Sequence, residues 1–178
     1  MQKSASLPAM QHLPALLTPL VPLLPLIAGL ASRGSSPKFS GRLAVTAAGT
    51  SAILAALLVI FGTGAGSDLF KLDAVSSVMV VLVSFLGTVV LRFSRNYLAG
   101  DPAQARFFSW MSLTLASVLT LVLAGNLLVL LGAWVSTSLC LHRLLLHHPG
   151  RAGAVFSARK KFVFSRMGDA CLLAASLL

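Results

Sequence analysis

The sequence predicts an all-α fold, a polytopic transmembrane helix bundle. Three observations predict it. Hydrophobic residues make up 57% of the 178-residue chain, and charged residues only 10%. Mean hydropathy is +0.91. Long apolar runs alternate with short, turn-rich connectors. A soluble domain carries about 25% charged residues, so this surface would be poorly covered in water. Disorder is excluded by the same arithmetic. The net charge of +10 raises nucleic acid as a partner, but the placement of the charge argues for no nucleic acid and for contact with membrane lipid instead.

A bilayer core needs about 20 apolar residues in a helix. Six spans meet that length. The first runs from about 9 to 31 and contains Pro14, Pro19, Pro22 and Pro25, which should kink it. It is too long and too proline-rich for a typical signal peptide. The second covers about 43–62, the third 74–91, the fourth 107–124 and the fifth 127–146. The sixth starts near Lys161 and is still running at Leu178.

Gly and Pro punctuate the connectors at Ser32–Lys38, Gly62–Asp68, Gly100–Pro102, Ala124–Asn126 and His148–Gly150. The glycine-rich Gly62–Asp68 stretch lacks the Gly-Lys-Ser/Thr of a phosphate loop. Cys140 and Cys171 lie in apolar runs and read as small core residues, not as a disulfide or a metal site.

Loops one-to-two, three-to-four and five-to-six, with their margins, hold Arg33, Lys38, Arg42, Arg92, Arg95, Arg106, Arg143, Arg151, Arg159, Lys160, Lys161 and Arg166. The opposite side holds Lys3 and Lys71. By the positive-inside rule the N-terminus is then outside, in the periplasm of a bacterium, and the basic loops are cytoplasmic.

An ionisable residue inside a span is costly and is a functional candidate by default. Asp169 lies well inside the sixth span, with Arg166 three residues earlier on the same face. They read either as a structural ion pair or as one step of a proton or ion relay. His142 and Arg143, near the cytoplasmic end of span five, read as a proton-shuttling histidine or as a snorkelling interfacial pair. The Arg159-Lys160-Lys161 run is an anchor or a docking point for a cytosolic partner. His147 and His148 lack a third metal ligand. Ser136, Thr137 and Ser138 serve helix packing or line a hydrated path. Asp73 opens span three, either as its N-cap or as a charge that favours the helix start. With four Asp and no Glu, no nucleotide motif, no Cys-x-x-Cys and no extramembrane domain, the chain is not expected to be an enzyme by itself, and no residues read as catalytic or cofactor-binding.

From Leu72 onward the chain resembles the antiporter-like membrane subunits grouped as chain 5 / subunit L of NADH-quinone oxidoreductase. The resemblance rests on Leu72-Asp73, on Tyr97-Leu98-Ala99-Gly100-Asp101-Pro102, and on Ala105-Arg106-Phe107-Phe108. It continues through Leu121 to Leu128, Gly132-Ala133-Trp134, Lys161-Phe162-Val163 and Arg166-Met167-Gly168-Asp169. It divides the chain into 1–71, two N-terminal spans, and 72–178, the start of an antiporter-like domain. Respiratory members carry a channel glutamate after the tryptophan; here that position is Val135.

Trp134 to Leu139, Leu141-His142-Arg143-Leu144-Leu145 and Ala158-Arg159-Lys160-Lys161-Phe162 are similar to the DabB branch. That resemblance implies an ion-translocating, proton-coupled subunit of an inorganic carbon accumulation complex in the bacterial inner membrane. It implies a DabA-like cytoplasmic partner related to carbonic anhydrases, with zinc in the partner and no cofactor in this chain. Of the matched residues it implies Asp169 as an ion-path residue, which Arg166 and His142 join as ion-path candidates from the residue reading above; His142, Arg143, Arg159, Lys160 and Lys161 are cytoplasm-side candidates for coupling to the partner. The alternatives are a proton-pumping subunit L or a cation/proton antiporter subunit on the one hand, and a non-catalytic membrane anchor on the other. Because such subunits have more spans, the chain is expected to be an N-terminal fragment.

The orientation has a direct test. Alkaline phosphatase fused after Gly66 should be active, and fused after Pro149 inactive; the opposite pattern would refute the assigned sides.

Overall fold

A computed structural model describes residues 17–61, 67–146 and 152–177. Among the described residues six helices follow in order: α1 Leu20–Ala31, α2 Pro37–Phe61, α3 Ala74–Tyr97, α4 Gln104–Val122, α5 Leu127–Leu145 and α6 Ala152–Leu177. The all-α bundle expected from the sequence is therefore present. Among the described residues four helices, α2 to α5, are long and apolar enough to cross a membrane. The first span was expected from residue 9; the described helix has 12 residues, and Pro14 lies outside the described residues. The sixth was expected from Lys161 but begins at Ala152, so the Arg159-Lys160-Lys161 run sits inside α6, not in a loop.

The core lies among α1 to α4. Val21, Ala44, Ala48, Ala55, Leu58, Val80, Leu91, Phe108, Leu115 and Leu119 form one buried cluster. On α2 the buried positions Gly41, Ala44, Ala48, Ser51, Ala55 and Leu58 recur at helical spacing. Small residues on one face let backbones approach where lipid offers no hydrophobic drive to association. Gly87 does the same between α3 and α4: a Cβ there would lie 2.6 Å from Leu115 Cδ1. The opposite faces expose Ile53, Ile60, Val78, Phe85 and Phe93, as hydrocarbon-facing surfaces do.

Pro25 sits inside α1. It lacks an N–H, so the carbonyl four residues earlier, at Val21, loses its usual partner. The Ser51 hydroxyl on α2 donates to that carbonyl at 2.7 Å. Ser109 Oγ on α4 likewise donates to the Gly29 carbonyl near the end of α1 at 2.6 Å. Neighbouring helices thus satisfy the backbone that proline and the helix end release. The buried Ser84 instead turns back to its own helix and donates to the Val80 carbonyl.

The two ends of the bundle differ. At one, Lys71 N–H donates to the Leu123 carbonyl and Gly125 N–H to the Leu69 carbonyl, both at 2.9 Å. These bonds tie the segment before α3 to the α4–α5 turn. At the other, the Arg33 and Arg143 guanidinium groups lie 5.2 and 5.8 Å from the Trp110 ring centroid. Lys38, Arg42 and Arg95 meet nearby around one cavity. So Arg33, Lys38, Arg42, Arg95 and Arg143 gather at one end, while Lys71 lies at the other.

Caps fix two helix starts. Asn126 Oδ1 accepts from Leu128 N–H at 3.0 Å. Asp73 accepts from the Ser76 amide at 3.2 Å and from its hydroxyl, as a residue preceding α3 should. The Ser76 hydroxyl and amide hold the Asp73 carboxyl below its ordinary value of 3.8. Because the folded value is depressed, this cap's contribution is complete above the unfolded pKa and is lost as pH falls through the folded one. Thermal melts in detergent should show Asp73→Ala below wild type at neutral pH. The gap should shrink only once pH drops below 3.8; a pH-independent gap would contradict the cap.

Candidate functional site

The candidate site lies between α5 and α6, and α6 contacts α5 alone among the described elements. On α5, Trp134, Ser138 and His142 are spaced by four and share a face. On α6, Phe162, Ser165, Arg166 and Asp169 follow the same period. The two helices run in opposite directions, and their faces meet in three rungs. Trp134 Nε1–H donates to Asp169 Oδ1 at 3.0 Å. Ser138 and Ser165 hydroxyls share a hydrogen bond at 2.6 Å. The His142 and Phe162 rings stand 4.6 Å apart. Each step of four along α5 is matched by a step of three or four back along α6, so one antiparallel register accounts for all three. At 1.5 Å rise per residue, successive rungs are about 6 Å apart.

Asp169 is 5% exposed, and it is the buried acid among the described residues. Arg166 Nη2 approaches Asp169 Oδ2 to 2.6 Å within α6. Those two atoms are close enough for an ion pair, yet neither has a hydrogen-bond partner of good geometry. The contact is therefore a charge pairing more than an aligned hydrogen bond. The same guanidinium lies 5.3 Å from the Phe162 ring centroid, a cation–π placement. Asp169 is thus held by an indole donor from one helix and a cation from its own.

The structure brings Asp169 and Arg166 together as the sequence expected, but Arg166 is not at a loop margin. It sits opposite the middle of α5, because α6 starts nine residues earlier than expected. His142 is half-buried, with Nδ1 unpartnered, two rungs or about 12 Å along the seam from Asp169. Arg143 packs over Trp110 within the chain. Arg159, Lys160 and Lys161 are exposed on α6. Cys140 is buried, but Cys171 is exposed rather than in the core. His147 and His148 lie outside the described residues. Among the described residues no cluster of three or more His, Cys, Asp or Glu could hold a metal.

Sequence reading named Ser138 for helix packing or a hydrated path, but missed Trp134, Ser165 and Phe162 as members of the site. The available signal was periodicity: Trp134-Ser138-His142 at i, i+4, i+8, and Phe162-Ser165-Arg166-Asp169 at i, i+3, i+4, i+7. Two such stripes on antiparallel neighbours can face each other.

Residues 69–108 match the family model described as NADH-Ubiquinone oxidoreductase (complex I), chain 5 N-terminus. The chain is 44% identical over 104 residues to "Probable inorganic carbon transporter subunit DabB" of Hydrogenovibrio crunogenus, covering 58% of this chain and 20% of the relative. It is 42% identical over 108 residues to "Probable inorganic carbon transporter subunit DabB2" of Halothiobacillus neapolitanus, covering 61% and 20%. It is 35% identical over 108 residues to NADH-quinone oxidoreductase subunit L of Mycobacterium tuberculosis, covering 61% and 17%. The matched stretch thus spans about a fifth of these relatives' length. The resemblance to DabB within the chain 5 / subunit L group is borne out.

The Trp134–Asp169 bond has an energetic signature. Trp134→Phe leaves a buried acceptor short of a donor and should cost about 1–3 kcal/mol. Combined with Asp169→Ala, which removes the acceptor, the two losses should be non-additive by about 0.5–3 kcal/mol, whereas Ser138→Ala with Asp169→Ala should add more nearly. Denaturation in detergent measures both cycles, and strict additivity in the first would refute the bond.

Proposed function

We propose that this chain is an ion-translocating membrane subunit of an energy-coupled inorganic carbon accumulation complex, with protons as the coupling ion. The observation that carries the reading is the difference in similarity. Identity is 44% and 42% to the two DabB relatives, against 35% and 36% to oxidoreductase subunits over stretches of the same length. Val135 supports it. The residue after the tryptophan is apolar, so the carboxylate that respiratory members carry there has no counterpart. A buried, cation-paired Asp169 remains as the acidic group of the α5–α6 seam.

In this reading the seam supplies one stage of the ion path. Asp169 takes and releases a proton. Arg166 is the counter-charge beside its carboxylate, and Trp134 fixes the orientation of one carboxylate oxygen. His142, nearer the basic end of the bundle, is the group that would pass a proton to or from that side. The basic end faces the cytoplasm of a bacterial inner membrane, with the N-terminus periplasmic. The partner is a DabA-like cytoplasmic subunit related to carbonic anhydrases, which holds the zinc and hydrates CO2. Ion flow through this subunit makes that hydration directional. Arg143, Arg159, Lys160 and Lys161 are the candidates for coupling to it.

The gene product should be expressed together with its carbonic-anhydrase-related partner in a host lacking carbonic anhydrase. Growth at ambient CO2 should be restored, and an uncoupler should abolish it. Asp169→Asn should abolish rescue at an unchanged membrane level. Rescue that survives the uncoupler would overturn energy coupling, and rescue by Asp169→Asn would remove Asp169 from the path.

A further inference from the structure

A cavity of about 390 Å³ opens at the basic end of the bundle, where α2 begins, α3 ends and α4 begins. Its described lining includes Lys38, Arg42 and Arg95, the amides of Asn96 and Gln104, and Gly100. Three cations and two amides converge there, and no carboxylate is among the described lining residues. The nearest acid in sequence, Asp101, turns its Oδ1 to the Ala103 N–H at 2.7 Å.

The arrangement is built into the fold. Gly41 lets the start of α2 approach α4 beside the cavity, since a Cβ there would lie 3.1 Å from the Phe108 ring. Gln104 is 7% exposed, and its Nε2 donates to the Arg95 carbonyl at 3.4 Å. That bond fixes the end of α3 to the start of α4. Gly100 has φ +96°, a backbone conformation that favours glycine, and so lets the α3–α4 connector turn tightly beside the cavity. The starts of α2 and α4 add the positive ends of two helix dipoles.

We propose that this cavity binds the phosphate of an anionic phospholipid headgroup. Guanidinium and ammonium groups with amide donors suit a phosphate oxyanion. The surroundings favour a lipid over a free anion. Phe39, Phe93 and Tyr97 are exposed at the same end of α2 and α3, and Phe93 and Tyr97 stack at 6.0 Å. Exposed aromatic residues at a helix end mark the headgroup level. Below them Val89, Leu86, Phe85 and Leu82 give α3 an exposed apolar face along which acyl chains can lie. The site depends on no ion path and stands apart from the α5–α6 seam.

Native mass spectrometry of the chain released from mixed micelles of phosphatidylglycerol and phosphatidylcholine tests the proposal. Wild type should retain phosphatidylglycerol preferentially. Neutralising one lining cation should weaken that preference about fivefold, and Lys38→Gln/Arg42→Gln/Arg95→Gln on the order of a hundredfold. Arg159→Gln/Lys160→Gln/Lys161→Gln removes the same charge from α6 and should leave the preference intact. If the cavity triple does not fold, Arg42→Gln and Arg95→Gln singly carry the same reading. No preference in wild type, or unchanged ratios in both single variants, would overturn the site. Equal loss in the α6 triple would reduce it to diffuse charge. Displacement of phosphatidylglycerol by millimolar inorganic phosphate would make it a free-anion site instead.

Discussion

In a hydrocarbon medium no water waits to satisfy a polar group, so every donor, acceptor and charge inside the bundle needs a partner from the protein. This constraint accounts for the polar contacts between helices. The Val21 carbonyl, freed by Pro25, recruits Ser51 from α2. The Gly29 carbonyl recruits Ser109 from α4. Asp169 recruits Trp134 from α5 and Arg166 from its own helix. The three bonds from Ser51, Ser109 and Trp134 cross between helices, so satisfying the polar groups also sets which helices touch and in what register.

The demand is sharpest at α6. This helix meets α5 alone among the described elements, and it carries Arg159, Lys160, Lys161, Arg166 and Asp169. Its apolar contacts are few, whereas its rungs to α5 are specific. A register slip of one residue would turn Asp169 away from Trp134 and Ser165 away from Ser138 together. The polar ladder therefore specifies the pairing more than it adds net stability, as buried polar groups do where the alternative arrangements leave them unpaired. A group so constrained is also the one whose protonation would alter the contact most, which links the architecture of the seam to its proposed role.

The helices were legible because apolar length and connector chemistry act locally. Asn126 as a cap, the Gly100–Pro102 turn and the break at Ser32–Lys38 were all visible as residues. The boundaries that moved did so for identifiable reasons. Basic residues at Lys38, Arg42, Arg92 and Arg95 can remain helical while their heads reach water, so α2 and α3 extend beyond their apolar windows. The same tolerance lets α6 absorb the Arg159-Lys160-Lys161 run that had marked a loop. The Arg166–Asp169 pair was legible because it is local, three residues apart on one helix. Trp134 was not, because its role depends on which helix packs against α5, and one-dimensional periodicity shows a face without showing its occupant.

The distribution of basic residues carries a further consequence. Positive charge at one end of a bundle is usually read as a topology signal alone. Here the fold treats its members differently. Arg33 and Arg143 are spent on the Trp110 ring, which ties the α1–α2 connector and the end of α5 to α4. Arg166 is drawn inward to a buried carboxylate. Lys38, Arg42 and Arg95 surround a cavity, and Arg159, Lys160 and Lys161 face outward along α6. One compositional feature thus resolves into four environments: ring-packed, ion-paired, cavity-lining and free. The cavity group lines a concave site whose α3–α4 edge is fixed by the Gln104–Arg95 bond and suits a ligand of defined shape, whereas the α6 run, along one side of a helix, suits a broad acidic surface.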